Sequence, residues 1–170
     1  GLDSRQNGVK TARYTKALEE GVQGLRIGVV GQGFGHHNSE PDVDAKVREG
    51  ADRLARLGAE VVEVSVPMHS DGIHVLLGIS IEGSTNRMVK LNGMGTNWKG
   101  YYDTALLDAY ARSRISRPDD YPDTVKLTIF MGEYLHRYYH GRYYAIAQNL
   151  RRTLRQAYDD ALAAYDLLLM

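Results

Sequence analysis

An apolar run closed by glycine, an amphipathic segment and an alternating valine run follow one another within residues 25–67. This succession limits the possible folds more than any other feature of the chain. The run LRIGVVG at 25–31 is apolar at nearly every position, as suits a strand buried on both faces rather than one half-open to water. Over 41–57, Val43, Val47, Ala51, Leu54 and Leu57 recur at spacings of three and four, so they share one face of a helix. Ser39 stands where an N-cap would, with Asp42 three positions on, and Gly58 stands where the helix would stop. The stretch AEVVEVSVP then alternates Val62, Val64 and Val66 with Glu63 and Ser65 until Pro67 ends it, which reads as a second strand. Two strands joined through a helix are expected to lie parallel, with a right-handed crossover.

The glycines of GLRIGVVGQGFGHH, residues 24–37, invite a second reading as a phosphate-binding loop. A dinucleotide fingerprint requires the third glycine of G-x-G-x-x-G, because the following helix must pack close to the strand and aim its first amides at the pyrophosphate. From Gly31 that third position is His36, and from Gly33 it is Asn38. Neither register fits, and no Gly-Lys-Ser or Gly-Lys-Thr follows. Glu40 and Asp42 at the expected helix start would also repel a phosphate. The reading retained is that the glycines carry the chain out of the strand through a tight turn.

Composition narrows the function classes. Lys and Arg number 21, Asp and Glu number 21, and the 170 residues contain no cysteine. A neutral chain offers no excess of cations for nucleic acid or an anionic membrane surface, and without cysteine there are no disulfides or thiolate metal sites. No apolar run approaches the roughly 20 residues needed to cross a bilayer, and the N-terminus carries no signal-peptide pattern. A cytoplasmic location is expected. The chain opens at Gly1 and runs out in DLLLM, a strand signal with no turn after it, so a piece of a longer polypeptide is the simplest reading. The expected fold class is α/β: one βαβ portion over 1–67, then a mainly helical portion over 68–170 that ends in a sheet strand.

In that second portion, residues 74–91 mix apolar and small side chains, and NGMGTNWKG at 92–100 forms a glycine-rich loop with the only Trp. A helix is expected over about 102–114, followed by the polar connection RPDDYPDT. Leu127, Met131, Tyr134, Leu135 and Tyr138 mark a further helix, and residues 142–165 another, with Tyr143, Ala147, Leu150, Leu154, Ala157, Ala161 and Tyr165 on its buried face. Gly141 is expected to separate or kink the two.

The residue patterns alone supply little catalytic chemistry. His136 and His140 have the i, i+4 spacing at which two imidazoles share zinc, which defines a metal-hydrolase alternative. Neither an H-E-x-x-H pattern nor a third ligand accompanies them, so no metal ligand is assigned. His36 and His37 fall in a polar loop, and the tyrosines of HRYYHGRYY fit core positions with wet hydroxyls. No cysteine nucleophile and no G-x-S-x-G elbow exists; Ser84, in EGSTN, is the nearest approach and falls in an expected helix. A non-catalytic α/β binding module therefore stands as the other alternative.

Four stretches carry a family resemblance: YTKALEEGVQGLRIGVVGQGF, SEPDVDAKVREGADRLARLGAEVVEVSVP, NGMGTNWKG and HGRYYAIAQNLRRTLRQAYDDALAAYDLLLM. Together they resemble the central-to-late portion of an amidase signature enzyme, in particular the actinobacterial type that accompanies nitrile hydratase. The opening GLDSRQ is similar to the segment that follows the nucleophile region, and DLLLM to the strand that leads into a Pro-Thr loop. The resemblance implies a large mixed sheet flanked by helices. It also implies a Ser-cisSer-Lys triad that hydrolyses small aliphatic or aromatic amides through an acyl-enzyme, without a cofactor. The triad residues of the family lie upstream of the matched region, so no catalytic residue is assigned here and this chain alone is expected to be inactive. Asn97 and Trp98 are the substrate-binding candidates, as one wall of an acyl pocket, with a structural anchor as the other reading of Trp98. Expected partners are a small amide substrate, the remainder of an amidase polypeptide and further copies of the chain, with no nucleic acid and no membrane.

Overall fold

The computed structural model describes residues 3, 6, 8–96 and 99–170. It contains two compact units, one made of residues 1–11 and 74–148, the other of residues 12–73 and 149–170.

The second unit holds the sheet. Strand β1 (Arg26–Val30) lies between β2 (Glu60–Val64) and β3 (Leu167–Leu169), parallel to both, with Gly28 opposite Val62 on one side and Leu168 on the other. Ile27, Val29 and Val30 are buried, as the unbroken apolar run of β1 requires of a central strand. A Cβ on Gly28 would meet Leu168 Cδ2 at 2.9 Å, Val64 Cγ2 at 3.0 Å and Tyr165 Cγ at 3.2 Å, so neighbouring side chains fill the hollow this glycine leaves. Beyond the paired residues, the Arg26 N–H donates to Asp166 Oδ2 at 2.8 Å and the Asp166 N–H to the Arg26 carbonyl at 2.8 Å.

A short helix, α1 (Tyr14–Ala17), precedes β1, and between β1 and β2 runs α2 (Pro41–Arg56), so the strand-helix-strand unit forms as expected and its strands are parallel. Two local expectations are corrected. Ser39 is not the N-cap: Glu40 takes that place without a side-chain cap bond, and Pro41 occupies the first turn, where its fixed φ and missing donor suit a helix start. Ser39 Oγ instead accepts the His36 N–H at 3.1 Å, and Asp44 Oδ2 accepts the Gly35 N–H at 2.8 Å, so both side chains tie the loop that leaves β1. Of the expected helix face only Ala51 is fully buried; Val43 and Leu57, at the two ends, are exposed. A five-residue strand is about 16 Å long and a 16-residue helix about 24 Å, so the sheet covers only the middle of the helix. The glycines after β1 do turn the chain: Gly31–Gly33 form a 3₁₀ turn, and a Cβ on Gly33 would lie 2.7 Å from Met170 Cβ. Gln32 clamps the exits of the two strands, donating to Ser65 Oγ at 2.7 Å and accepting the Val66 N–H at 2.8 Å.

The first unit is helical. It contains α3 (Gly72–Ser84) from residue 74 onward, α4 (Thr104–Ser116), α5 (Asp123–Tyr139) and the start of α6 (Arg142–Leu162). Small residues let these helices approach closely. A Cβ on Gly78 would sit 2.8 Å from Ala147 Cβ, and one on Gly132 would sit 2.8 Å from the Ile81 carbonyl oxygen and 2.6 Å from Thr85 Cβ. His140 at φ 52° and Gly141 at φ 81° end α5 and restart the chain as α6, which is the separation expected at Gly141. The α6 face read from the sequence is only partly covered: Ala147 is buried, Leu154, Ala157, Ala161 and Tyr165 are half-buried, and Tyr143 and Leu150 are exposed. The tyrosine positions also depart from the core reading. Tyr138, Tyr139 and Tyr143 are exposed; the Tyr138 ring packs on Tyr134 at 4.8 Å, and the Tyr139 and Tyr143 rings lie 4.9 Å apart at 68°.

Candidate functional site

The helical unit carries the loop from which the substrate-binding candidates were chosen. Asn97 and Trp98 lie outside the described residues, so the description of this loop stops at Thr96 and resumes at Lys99. Up to Thr96 the loop is firmly tied. Asn92 at φ 50°, Gly93 at φ 79° and Gly95 at φ 83° turn the backbone through conformations that favour Gly and Asn. Asn92 Nδ2 donates to the Leu107 carbonyl on α4 at 3.2 Å, the Gly95 N–H donates to Tyr102 Oη at 2.8 Å, and Thr96 Oγ1 donates to the Gly93 carbonyl at 2.7 Å.

Thr96 is also part of a cavity wall. A space of about 380 Å³ is lined by Ile79, Ser80, Ser84, Met88, Thr96 and Gln148, together with Gly83, Arg87 and Tyr144. The last three also line an adjacent space of about 200 Å³, completed by Glu82, Asn86, His136 and Gly141. Both surround the point where α3 gives way to a wide π-helical turn, Thr85–Lys90. Such turns reset the helical phase and recur at functional sites. Here the turn brings Asn86 and Arg87 to the two cavities.

Glu82 is the unusual group in this region. It is 2 % exposed in a helix that is apolar or small apart from it and His74, and its Oε2 accepts the Tyr144 N–H at 2.7 Å, so it satisfies a free amide in the first turn of α6. Its Oε1 has no partner among the described residues. Sequence reasoning missed Glu82, Asn86, Arg87 and Tyr144 as cavity residues. The available signal was the lone acid in GISIEGS, since a carboxylate on an apolar helix must find a donor inside the fold.

The histidine pair gains no further metal ligand among the described residues. His136 faces the smaller cavity, whereas His140 sits in the left-handed conformation at the end of α5, and no group of three His, Asp or Glu side chains able to hold a metal occurs among the described residues. In the sheet unit, the His36 and His69 rings lie 6.4 Å apart, and His69 Nδ1 is 2.5 Å from Tyr158 Oη. His37 joins neither contact. Burial raises the Tyr158 hydroxyl pKa above its ordinary value. Ser84 is the last residue of α3 and exposed, as its helical reading anticipates. No helix among the described residues is long and apolar enough to cross a membrane.

Comparison with known proteins supplies what this geometry alone does not. A family model described as Amidase matches residues 2–170. The chain is 39% identical over 173 residues to the Enantioselective amidase of Rhodococcus rhodochrous, covering 100% of this chain and 33% of that protein. It is 31% identical over 157 residues to a Glutamyl-tRNA(Gln) amidotransferase subunit from Prochlorococcus marinus (strain AS9601), covering 92% of this chain and 32% of that protein. In structure it is similar to a bacterial aryl acylamidase of the amidase signature enzymes, with a TM-score of 0.61, 19% identity and coverage of 99% of this chain and 31% of that one. The chain thus spans about a third of the length of the curated relatives it matches.

Proposed function

The chain belongs to the amidase family, and from that premise we propose that it forms part of an enzyme that hydrolyses small aliphatic or aromatic amides to a carboxylic acid and ammonia. The observation that carries this reading is the match along residues 2–170, supported by the likeness to an Enantioselective amidase along the whole chain. In this proposal the nucleophilic serine belongs to polypeptide outside these residues. Its hydroxyl oxygen attacks the amide carbonyl while its proton passes through a second serine to a lysine and on to the leaving nitrogen. Ammonia departs, and water then frees the acid from the acyl-enzyme.

The 170 residues contribute scaffold and one wall of the acyl pocket. Asn97 and Trp98 follow in sequence on Asn92, Gly95 and Thr96, whose hydrogen bonds tie the residues before them, and a tied backbone can hold a flat side chain against a substrate without losing much entropy on binding. The decisive assay is ammonia release from benzamide and propionamide. The 170-residue chain is expected to release none above a mock preparation, whereas turnover by this chain would mean that a nucleophile lies within it. In a longer polypeptide that carries the serines, Trp98→Ala is expected to lower kcat/KM for benzamide about tenfold more than for propionamide. An equal loss on both would assign Trp98 to anchoring the loop.

A further inference from the structure

A third space in the helical unit, about 280 Å³, is lined by the apolar Val89, Pro118, Ile129 and Phe130 and by the polar Arg114, Asp119, Tyr121 and Lys126. It lies between the end of α4, the first two turns of α5 and the π-helical turn, and shares no lining residue with the Glu82 cavities. Its charges are unevenly matched. Lys126 Nζ donates to the Asp119 carbonyl at 3.2 Å and stands 3.9 Å from the Asp119 carboxylate, which is itself fully exposed. Arg114 is half-buried and forms no ion pair among the described residues; its Nε has no hydrogen-bond partner among them, and its guanidinium lies 5.8 Å from the centre of the Tyr110 ring. Tyr110 is occupied in turn, since its hydroxyl accepts from Tyr121 Oη at 3.2 Å.

A guanidinium N–H withdrawn from water without an acceptor is costly, and the acceptor that matches the planar fork of an arginine is a carboxylate. Within the same wall Val89, Pro118, Ile129 and Phe130 offer hydrocarbon to whatever is joined to that carboxylate. We propose that this space binds a small monocarboxylate with an aliphatic or aryl tail, its carboxylate on the Arg114 guanidinium and its tail against Ile129 and Phe130. Lys126 adds a second positive charge to the lining, and the Asp119 carboxylate, which also borders the space, is fully exposed to water and forms no ion pair with Arg114. Binding does not depend on the amidase reading; only the source of the ligand does, since amide hydrolysis releases this class of acid.

The test is a titration of the 170-residue chain with benzoate, followed by the Arg114 Nε–H resonance and by saturation transfer to the ligand protons. Benzamide, the neutral isostere, and sodium chloride serve as controls. The expected result is a saturable shift of the Arg114 signal with benzoate and none with either control. Arg114→Met is expected to weaken benzoate binding by ten- to about a hundredfold, as the loss of a hydrogen bond to a charged group implies. Phe130→Ala changes a side chain that is 70 % exposed, so the fold tolerates it; it is expected to weaken benzoate severalfold and leave acetate unaltered. No saturable shift, equal binding of benzamide, or full affinity in the Arg114→Met chain would each overturn the proposal. Because no turnover is read, failure here leaves amide hydrolysis untouched, and failure of the ammonia assay leaves this site untouched.

Discussion

Gly132 and Gly50 both stand inside helices, yet their surroundings predict opposite outcomes for the same substitution. A methyl group on Gly132 would strike the backbone oxygen of Ile81 at 2.8 Å, an atom that cannot move unless the helix moves with it. Gly132→Ala is therefore expected to lower stability by about 1–3 kcal/mol. Nothing lies within 4 Å of a methyl group on Gly50, so Gly50→Ala in α2 is expected to raise stability by about 0.5–1 kcal/mol through the entropy of the unfolded chain. Urea midpoints of the two variants at unchanged m-value check both. The sequence offered no means of telling these glycines apart, because each interrupts a helical pattern in the same way. The difference lies in which helix passes by, and this is a tertiary fact. Glu82 taught the converse: a lone acid among apolar neighbours was visible in the sequence, but its partner, the Tyr144 amide, lies 62 residues away.

Among the elements, the pairing of β1 with β3 was half legible. DLLLM read as a strand, and the strand exists, but periodicity names no partner. That partner is the strand which begins at Arg26, and an ion pair marks the junction: Arg26 Nη2 lies 3.1 Å from Asp166 Oδ1. Hydrogen bonds from the Arg26 side chain and backbone hold the Asp166 carboxyl below the ordinary carboxylate range. A carboxyl whose folded-state pKa is lowered stabilises the fold in full above its unfolded value, and that contribution disappears as pH falls through the folded value. Asp166→Asn is thus expected to be less stable than the parent chain at pH 7, with the gap closing as pH drops below the carboxylate range. Denaturant titrations at pH 7, 4 and 2.5 would read it, and a gap independent of pH would assign the loss to the backbone hydrogen bond alone. The missed N-cap belongs to this scale as well. Ser39 and Pro41 both signal a helix start, and sequence cannot decide which one yields when they stand two residues apart.

In the molecule as a whole, exposed hydrocarbon is the dominant feature. Leu127, Phe130, Met131, Tyr134 and Tyr138 recur along one side of α5, and all are exposed. The spacing of Leu127, Met131, Tyr134 and Tyr138 was plain in the sequence, whereas Phe130 was not read there and Leu135, read with them, is half-buried; spacing says only which side chains share a face, not what covers it. A contiguous apolar face of this kind drives association in water. Sedimentation velocity is expected to show self-association that grows with concentration, and Leu127→Glu with Tyr134→Glu is expected to weaken it on the order of tenfold or more, with helicity by circular dichroism unchanged. Association unaffected by both changes would point to the outer strands β2 and β3, whose outward edges pair with no strand among the described residues and are the other adhesive surface.

The strand order β2-β1-β3 also sets a timetable. The middle strand is made first, and its second neighbour arrives only when Asp166 meets Arg26, 140 residues later. At about 5–20 residues per second a ribosome takes roughly 7–28 s to cover that distance. Throughout that interval β1 has β2 on one side and an open ladder on the other. Closing so long a loop adds only a logarithmic entropy cost at equilibrium, but non-local pairing of this kind slows folding strongly. Until Leu167–Leu169 have left the ribosome, the most deeply buried strand of the sheet is therefore available to any other chain within reach.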